Sequence, residues 1–125
     1  DGLEARALAV VEAAGALDRV VFSSFDARAL ERLRACSVRA TLAVLWEKAR
    51  IPQPVRRAER VAARALHLRK ETATPPALAA AAVAGLLVRV WTVNASADFD
   101  RLAAAGVDGV FTDFPERFLQ PATPK

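Results

Sequence analysis

The chain has 125 residues, 54% of them apolar and 26% charged, with 18 basic against 14 acidic side chains and a net charge of +4. That is room for one domain with a real core, and its arginine-dominated basicity, without interleaved stacking aromatics, suits a solvated surface, anionic substrates or lipid headgroups rather than nucleic acid. The single cysteine, Cys36, excludes an intrachain disulfide framework and permits the cytoplasm.

No stretch is apolar and uncharged enough to cross a membrane, and no basic segment followed by an apolar one marks a leader. Leu3, Ala7, Leu8, Val11 and Ala14 recur at helical spacing, with Gly15 placed to end the helix in a left-handed turn. Within Leu17 to Phe25 the β-branched run Val20-Val21-Phe22 predicts a strand buried on both faces. Asp26 is placed to cap a helix from Ala27 to about Arg34, with Leu30 and Leu33 as its inward stripe. Cys36 then follows a helix C-terminus, where the dipole disfavours a thiolate, so it reads as filler.

Thr41 to Leu45 predicts a second buried strand with Trp46 and Glu47 at its tip. Pro52 and Pro54 predict an extended loop over 47–54 and a helix resuming near Val55. In that helix Val55, Ala58, Val61, Ala62 and Ala65 face inward, while Arg56, Arg57, Arg60 and Arg64 take much of the other face. Leu66-His67-Leu68 is a very short strand or a turn. Thr74-Pro75-Pro76 starts a helix, with threonine as cap, that Gly85 ends. Leu86 to Val93 is the next strand, Ser96 caps a helix from Ala97 to Ala105, and Gly106 ends it before a last strand through Val110. Asp113 is placed to cap a final helix opening at Pro115, and Asp108-Gly109 reads as a turn.

Helix, glycine, strand and polar tip, repeated, is what parallel βα units require, since a crossover helix must return each strand to the same end. The fold class is therefore α/β, with parallel strands alternating with helices. A closed (β/α)8 barrel needs about 250 residues, so this chain is about half of one.

Functional groups in such folds gather at the carboxyl ends of the strands. Trp91 offers a flat apolar face with an N–H at its rim, which serves a pocket wall or plain core equally well. Asn94 follows the same strand with donor and acceptor groups and also reads as a turn residue. Ser24 and Phe25 pose the same choice: a hydroxyl for a phosphate oxygen or for the neighbouring backbone, and a ring for a pocket wall. His67, the only histidine, is the one side chain whose ordinary pKa suits proton transfer near neutrality. It lies between two leucines without an adjacent carboxylate, which favours a structural or pocket-lining part over catalysis or a metal site.

Trp91-Thr92-Val93-Asn94, followed by Gly106-Val107-Asp108-Gly109-Val110-Phe111-Thr112-Asp113-Phe114-Pro115, resembles the closing strands of the glycerophosphodiester phosphodiesterases. Asp18-Arg19-Val20-Val21-Phe22-Ser23-Ser24-Phe25-Asp26 is similar to a middle strand of the same family. The resemblance implies the C-terminal half of a (β/α)8 TIM barrel of the phospholipase-C-like phosphodiesterase type. It further implies hydrolysis of diesters such as glycerophosphocholine to glycerol 3-phosphate and an alcohol, assisted by a divalent cation, Ca or Mg. The family's His-Arg-Gly segment, its second early histidine and its Glu-x-Lys strand do not occur in residues 1 to 125. The resemblance therefore assigns this chain no catalytic or metal-binding residue, only the substrate-facing tips Trp91, Phe25, Ser24 and His67.

The expected organisation is a partial phosphodiesterase domain over residues 1–120 and a tail over 121–125. Two functions follow. The chain is a portion of a metal-dependent phosphodiesterase, inactive alone and completed by an N-terminal half-barrel; or it is a noncatalytic half-barrel that pairs with itself as an assembly or ligand-binding module, because unclosed sheets expose pairing edges.

Overall fold

Among the residues that the computed structural model describes, 2–48 and 52–118, five strands alternate with five α-helices. The expected tail over 121–125 and the middle of the loop expected over 47–54 lie outside the described residues. In chain order the elements are α1 (Leu3–Ala13), β1 (Val21–Ser24), α2 (Ala27–Cys36), β2 (Thr41–Trp46), α3 (Pro52–Val61), β3 (Ala65–Arg69), α4 (Pro75–Val83), β4 (Leu87–Trp91), α5 (Ser96–Ala104) and β5 (Gly109–Val110).

The helix stops follow the backbone chemistry of glycine. Gly15, Gly85 and Gly106 have φ of 65°, 73° and 87° after α1, α4 and α5, a region that side chains with a Cβ rarely enter. Helix starts follow side-chain acceptors. Asp26 Oδ1 accepts the Arg28 amide at 2.9 Å and Thr74 Oγ1 accepts the Ala77 amide at 3.4 Å, each satisfying a donor that the first turn leaves free.

Three local expectations are corrected. Ser96 does not cap α5: it is the first helical residue, and Ala95 stands at the cap position with no side-chain bond. Asp113 does not cap the 3-10 turn Pro115–Arg117, whose cap position is Phe114. Helix α3 begins by Pro52 rather than Val55, because proline is compatible with a first helical turn, where its missing N–H has no partner to lose.

All strand pairs are parallel, and the sheet order is β1-β2-β3-β4-β5. The segment Ala65–Arg69, open between strand and turn from sequence, is the central strand. Crossovers between adjacent parallel strands keep one hand, so the helices collect on one face of the sheet. There Leu42, Val44, Trp46, Leu66, Leu68, Val88 and Val90 share one core cluster with Leu30, Leu33, Ala58, Val61, Ala81 and Leu102 from α2 to α5. Arg34 fastens α2 to the end of α3, donating from Nε to the Val61 carbonyl at 2.8 Å and from Nη2 to that of Ala62 at 3.2 Å.

Strand residues alternate between faces, so the opposite face carries the registered rows Ser23–Ala43–Ala65–Leu87 and Leu45–His67–Arg89–Gly109. No helix covers it. Val21 and Leu87 are 38% and 37% exposed there, so β1 is an edge strand open on one side rather than buried on both, as its sequence suggested.

Candidate functional site

The carboxyl ends of the strands hold most of the polar and aromatic groups singled out above. Trp91 is the last residue of β4, half-buried, and its Nε1 donates to the His67 carbonyl at 3.0 Å. That bond fixes the indole plane across the neighbouring strand. Phe25, just past β1 and 49% exposed, meets the indole edge to face, with centroids 5.9 Å apart and planes at 86°. Such a pair adds about 0.5–1.5 kcal/mol beyond its buried area. It forms a two-ring wall at the mouth of the open face.

His67 lies behind that wall, only 4% exposed. Arg89 Nη1 stands 3.1 Å from its Nε2. A guanidinium only donates, so Nε2 must be the acceptor and the ring proton sits on Nδ1. Nδ1 has no partner among the described residues, and the Phe111 ring packs edge-on at 5.0 Å. Burial first, and the Arg89 charge second, push the His67 pKa down from 6.5 to about 4. The ring is therefore neutral at physiological pH and serves as an acceptor for Arg89, with no proton to give near neutrality.

Ser24 is not brought to this wall. Its Oγ accepts the Asp26 amide at 2.9 Å in the turn that leads into α2, and by strand alternation its side chain lies on the helix side with Phe22. Of the four predicted substrate-facing residues, Trp91, Phe25 and His67 are gathered at one place and Ser24 stands apart.

Asn94 turns out to organise the loops. Its Nδ2 donates to Asp113 Oδ2, and its Oδ1 accepts from Thr112 Oγ1 and the Asp113 amide, each at 3.0 Å. Its carbonyl accepts from Arg117 Nη1 at 2.9 Å. One amide thus ties the loop after β4 to the loop after β5. Local turn chemistry hides this role, because every partner is at least 18 residues away.

Beside Phe25, at the tips of β1 and β2, lies a cavity of about 360 Å³ walled by Phe25, Trp46, Glu47, Lys48, Gln53 and Arg57 among others. Sequence reading of the strand tips did not single out Lys48, Gln53 or Arg57 as site residues, because Gln53 and Arg57 belong to the following helix. Among the described residues no group of three or more His, Cys, Asp or Glu side chains is placed to hold a metal ion. The carboxylate of Asp113 already accepts from Asn94, so this set does not fit the divalent cation that the resemblance implies.

Comparison with known proteins bears on both fold and site. The model of the glycerophosphoryl diester phosphodiesterase family matches residues 3–117. The glycerophosphodiester phosphodiesterase of Caldanaerobacter subterraneus is 26% identical over 118 residues, covering 94% of this chain and 48% of that protein. A solved structure from Silicibacter pomeroyi, assigned as a glycerophosphoryl diester phosphodiesterase, superposes with a TM-score of 0.82 at 29% identity over 92% of this chain and 41% of its own. An Oleispira antarctica phosphodiesterase, solved in complex with the product sn-glycerol-3-phosphate, superposes with a TM-score of 0.77 at 24% identity, over 93% of this chain and 49% of its own. The chain thus spans about half the length of the relatives it matches, and its parallel sheet corresponds to half of their TIM barrel.

Proposed function

Because the chain belongs to the glycerophosphoryl diester phosphodiesterase family, we propose that it forms one side of the substrate pocket of an enzyme that hydrolyses glycerophosphodiesters to glycerol 3-phosphate and an alcohol. The observation that carries this reading is the Trp91–Phe25 wall at the strand tips, where (β/α)8 enzymes place their chemistry. Trp91 and Phe25 cover the apolar backbone of the glycerol moiety and keep water from it. His67 and Arg89 stand behind them: the His67 carbonyl orients the indole, and the neutral imidazole holds the guanidinium. Ser24 takes a supporting part in the turn that carries Phe25. The bound product of the Oleispira relative supports a phosphorylated glycerol as the ligand class.

In this reading a divalent cation, Ca or Mg, neutralises the phosphate oxygens when bound, and its ligands, like the acid and base, come from outside the described residues. The chain alone then has nothing to activate water or to protonate the leaving alcohol. Purified chain is expected to show no turnover of glycerophosphocholine with added Ca²⁺ or Mg²⁺. It is expected to bind glycerol 3-phosphate weakly, with Trp91→Ala reducing affinity about tenfold, since a stacked aromatic contributes on the order of 1 kcal/mol or more. Sustained turnover, or binding indifferent to Trp91→Ala, would count against the assignment.

The bare sheet face, with Val21 and Leu87 exposed, favours a second reading in which two copies cover each other's open face as a noncatalytic module. A monomer in analytical ultracentrifugation at tens of micromolar would exclude it.

A further inference from the structure

The cavity beside Phe25 does not end at the strand tips. A second hollow of about 280 Å³ is walled by Gln53, Arg56, Arg57 and Arg60, and Gln53 and Arg57 wall the first as well. The two form one trough that runs from the aromatic wall over the start of α3. Arg56 and Arg60 are exposed and one helical turn apart, so their charges face the same side and repel. Neither has an ion pair or hydrogen bond among the described residues, and Glu59, the nearest acid on the helix, pairs with neither. Elsewhere the chain neutralises or engages such groups: Arg32 grips Glu4 through two bonds, and Arg34 donates to four carbonyls.

Arg57 sets what the trough accepts. Its Nη1 donates to the Phe25 carbonyl at 2.9 Å, and its guanidinium lies 5.1 Å from the centre of the Trp46 ring. The aromatic face that a quaternary ammonium would need is therefore already taken by a cation. With Lys48 on the rim, the trough presents donors and positive charge, the arrangement that recognises a phosphate.

We propose that this trough is a subsite for a phosphate carried on the alcohol half of the substrate, so that the preferred diesters are those whose headgroup bears its own phosphate. The proposal rests on the phosphodiesterase reading above, with Phe25 as the wall common to both. It is tested by calorimetric titration of the full chain with three probes: glycerophosphocholine, glycerophosphoinositol 4-phosphate and inorganic phosphate. The phosphorylated diester is expected to bind about tenfold more tightly than glycerophosphocholine, through charge-assisted bonds that glycerophosphocholine cannot make.

The double variant Arg56→Gln, Arg60→Gln, checked for native circular dichroism, should abolish that preference and leave glycerophosphocholine unchanged. Arg19→Gln, at the other end of the strands, should preserve it. Equal affinity for the two diesters, no binding of the phosphorylated one, or a preference that survives the double variant would overturn the proposal. Inorganic phosphate binding as tightly as the phosphorylated diester would overturn the headgroup assignment and leave a free-phosphate site. Failure of the phosphodiesterase reading appears elsewhere, as glycerophosphocholine binding that ignores Trp91→Ala.

Discussion

His67 should make the stability of this fold depend on pH in a narrow window. In the folded chain its pKa is about 4, against an ordinary 6.5 in the unfolded chain. As pH falls below 6.5 the unfolded state takes up a proton that the folded state refuses, so stability is full above that value and declines down to about pH 4, where both states are protonated. Each unit within the window removes about 1.4 kcal/mol, giving a loss of about 2 kcal/mol between pH 7 and pH 5. With a urea dependence of about 1–3 kcal/mol per molar for a domain of this size, the unfolding midpoint should fall by about 1 M.

His67 is the chain's only histidine, so no other imidazole contributes in this range. Glu4, held below 4.5 mainly by its hydrogen bond with Arg32, adds a loss only at pH values beneath that. His67→Gln keeps an acceptor for Arg89 and has nothing to titrate, so its urea midpoint should be flat from pH 7 to pH 5. A wild-type midpoint equally flat over that range, or a variant that keeps the full slope, would show that the ring is not held neutral by burial beside Arg89.

Two further outcomes are expected. Asp26→Ala should cost about 1 kcal/mol in urea unfolding through loss of the α2 cap, while Ser96→Ala should stay within about 0.5 kcal/mol, because Ser96 makes no cap bond to lose; a larger cost at Ser96 would contradict the assigned start of α5. Asn94→Ala should cost about 1–2 kcal/mol and speed amide exchange at Asp113, whose N–H bonds to Asn94 Oδ1; unchanged exchange there would mean that the clamp is not formed in solution.

What could be read from the sequence was whatever has a local cause. Gly15, Gly85 and Gly106 end helices because of their own backbone freedom, and Asp26 and Thr74 start them because of their own side chains. The alternation of these signals was enough to imply a parallel sheet and half of a barrel. The strand Ala65–Arg69 was ambiguous because its inner positions hold Ala65, His67 and Arg69. A polar residue pair such as His67 and Arg89 becomes compatible with a sheet face only once the two strands lie side by side. The roles of Asn94 and Asp113 were hidden for the same reason: each residue has a plausible short-range duty, and the bonds it makes reach across the fold. At the site, Trp91 and Phe25 were found from their strand-end positions. Ser24 shares that position, but alternation turns its side chain to the other face.

The order of the strands has a kinetic meaning. Val21 registers with Thr41, Ala43 with Ala65, Ala65 with Leu87 and Arg89 with Gly109, so every ladder joins segments roughly 20 residues apart and the entropy of closing each loop stays small and nearly equal. Folding can then begin at any rung and spread to its neighbours, and a nascent polypeptide can lay down each strand as it emerges instead of waiting for a distant partner.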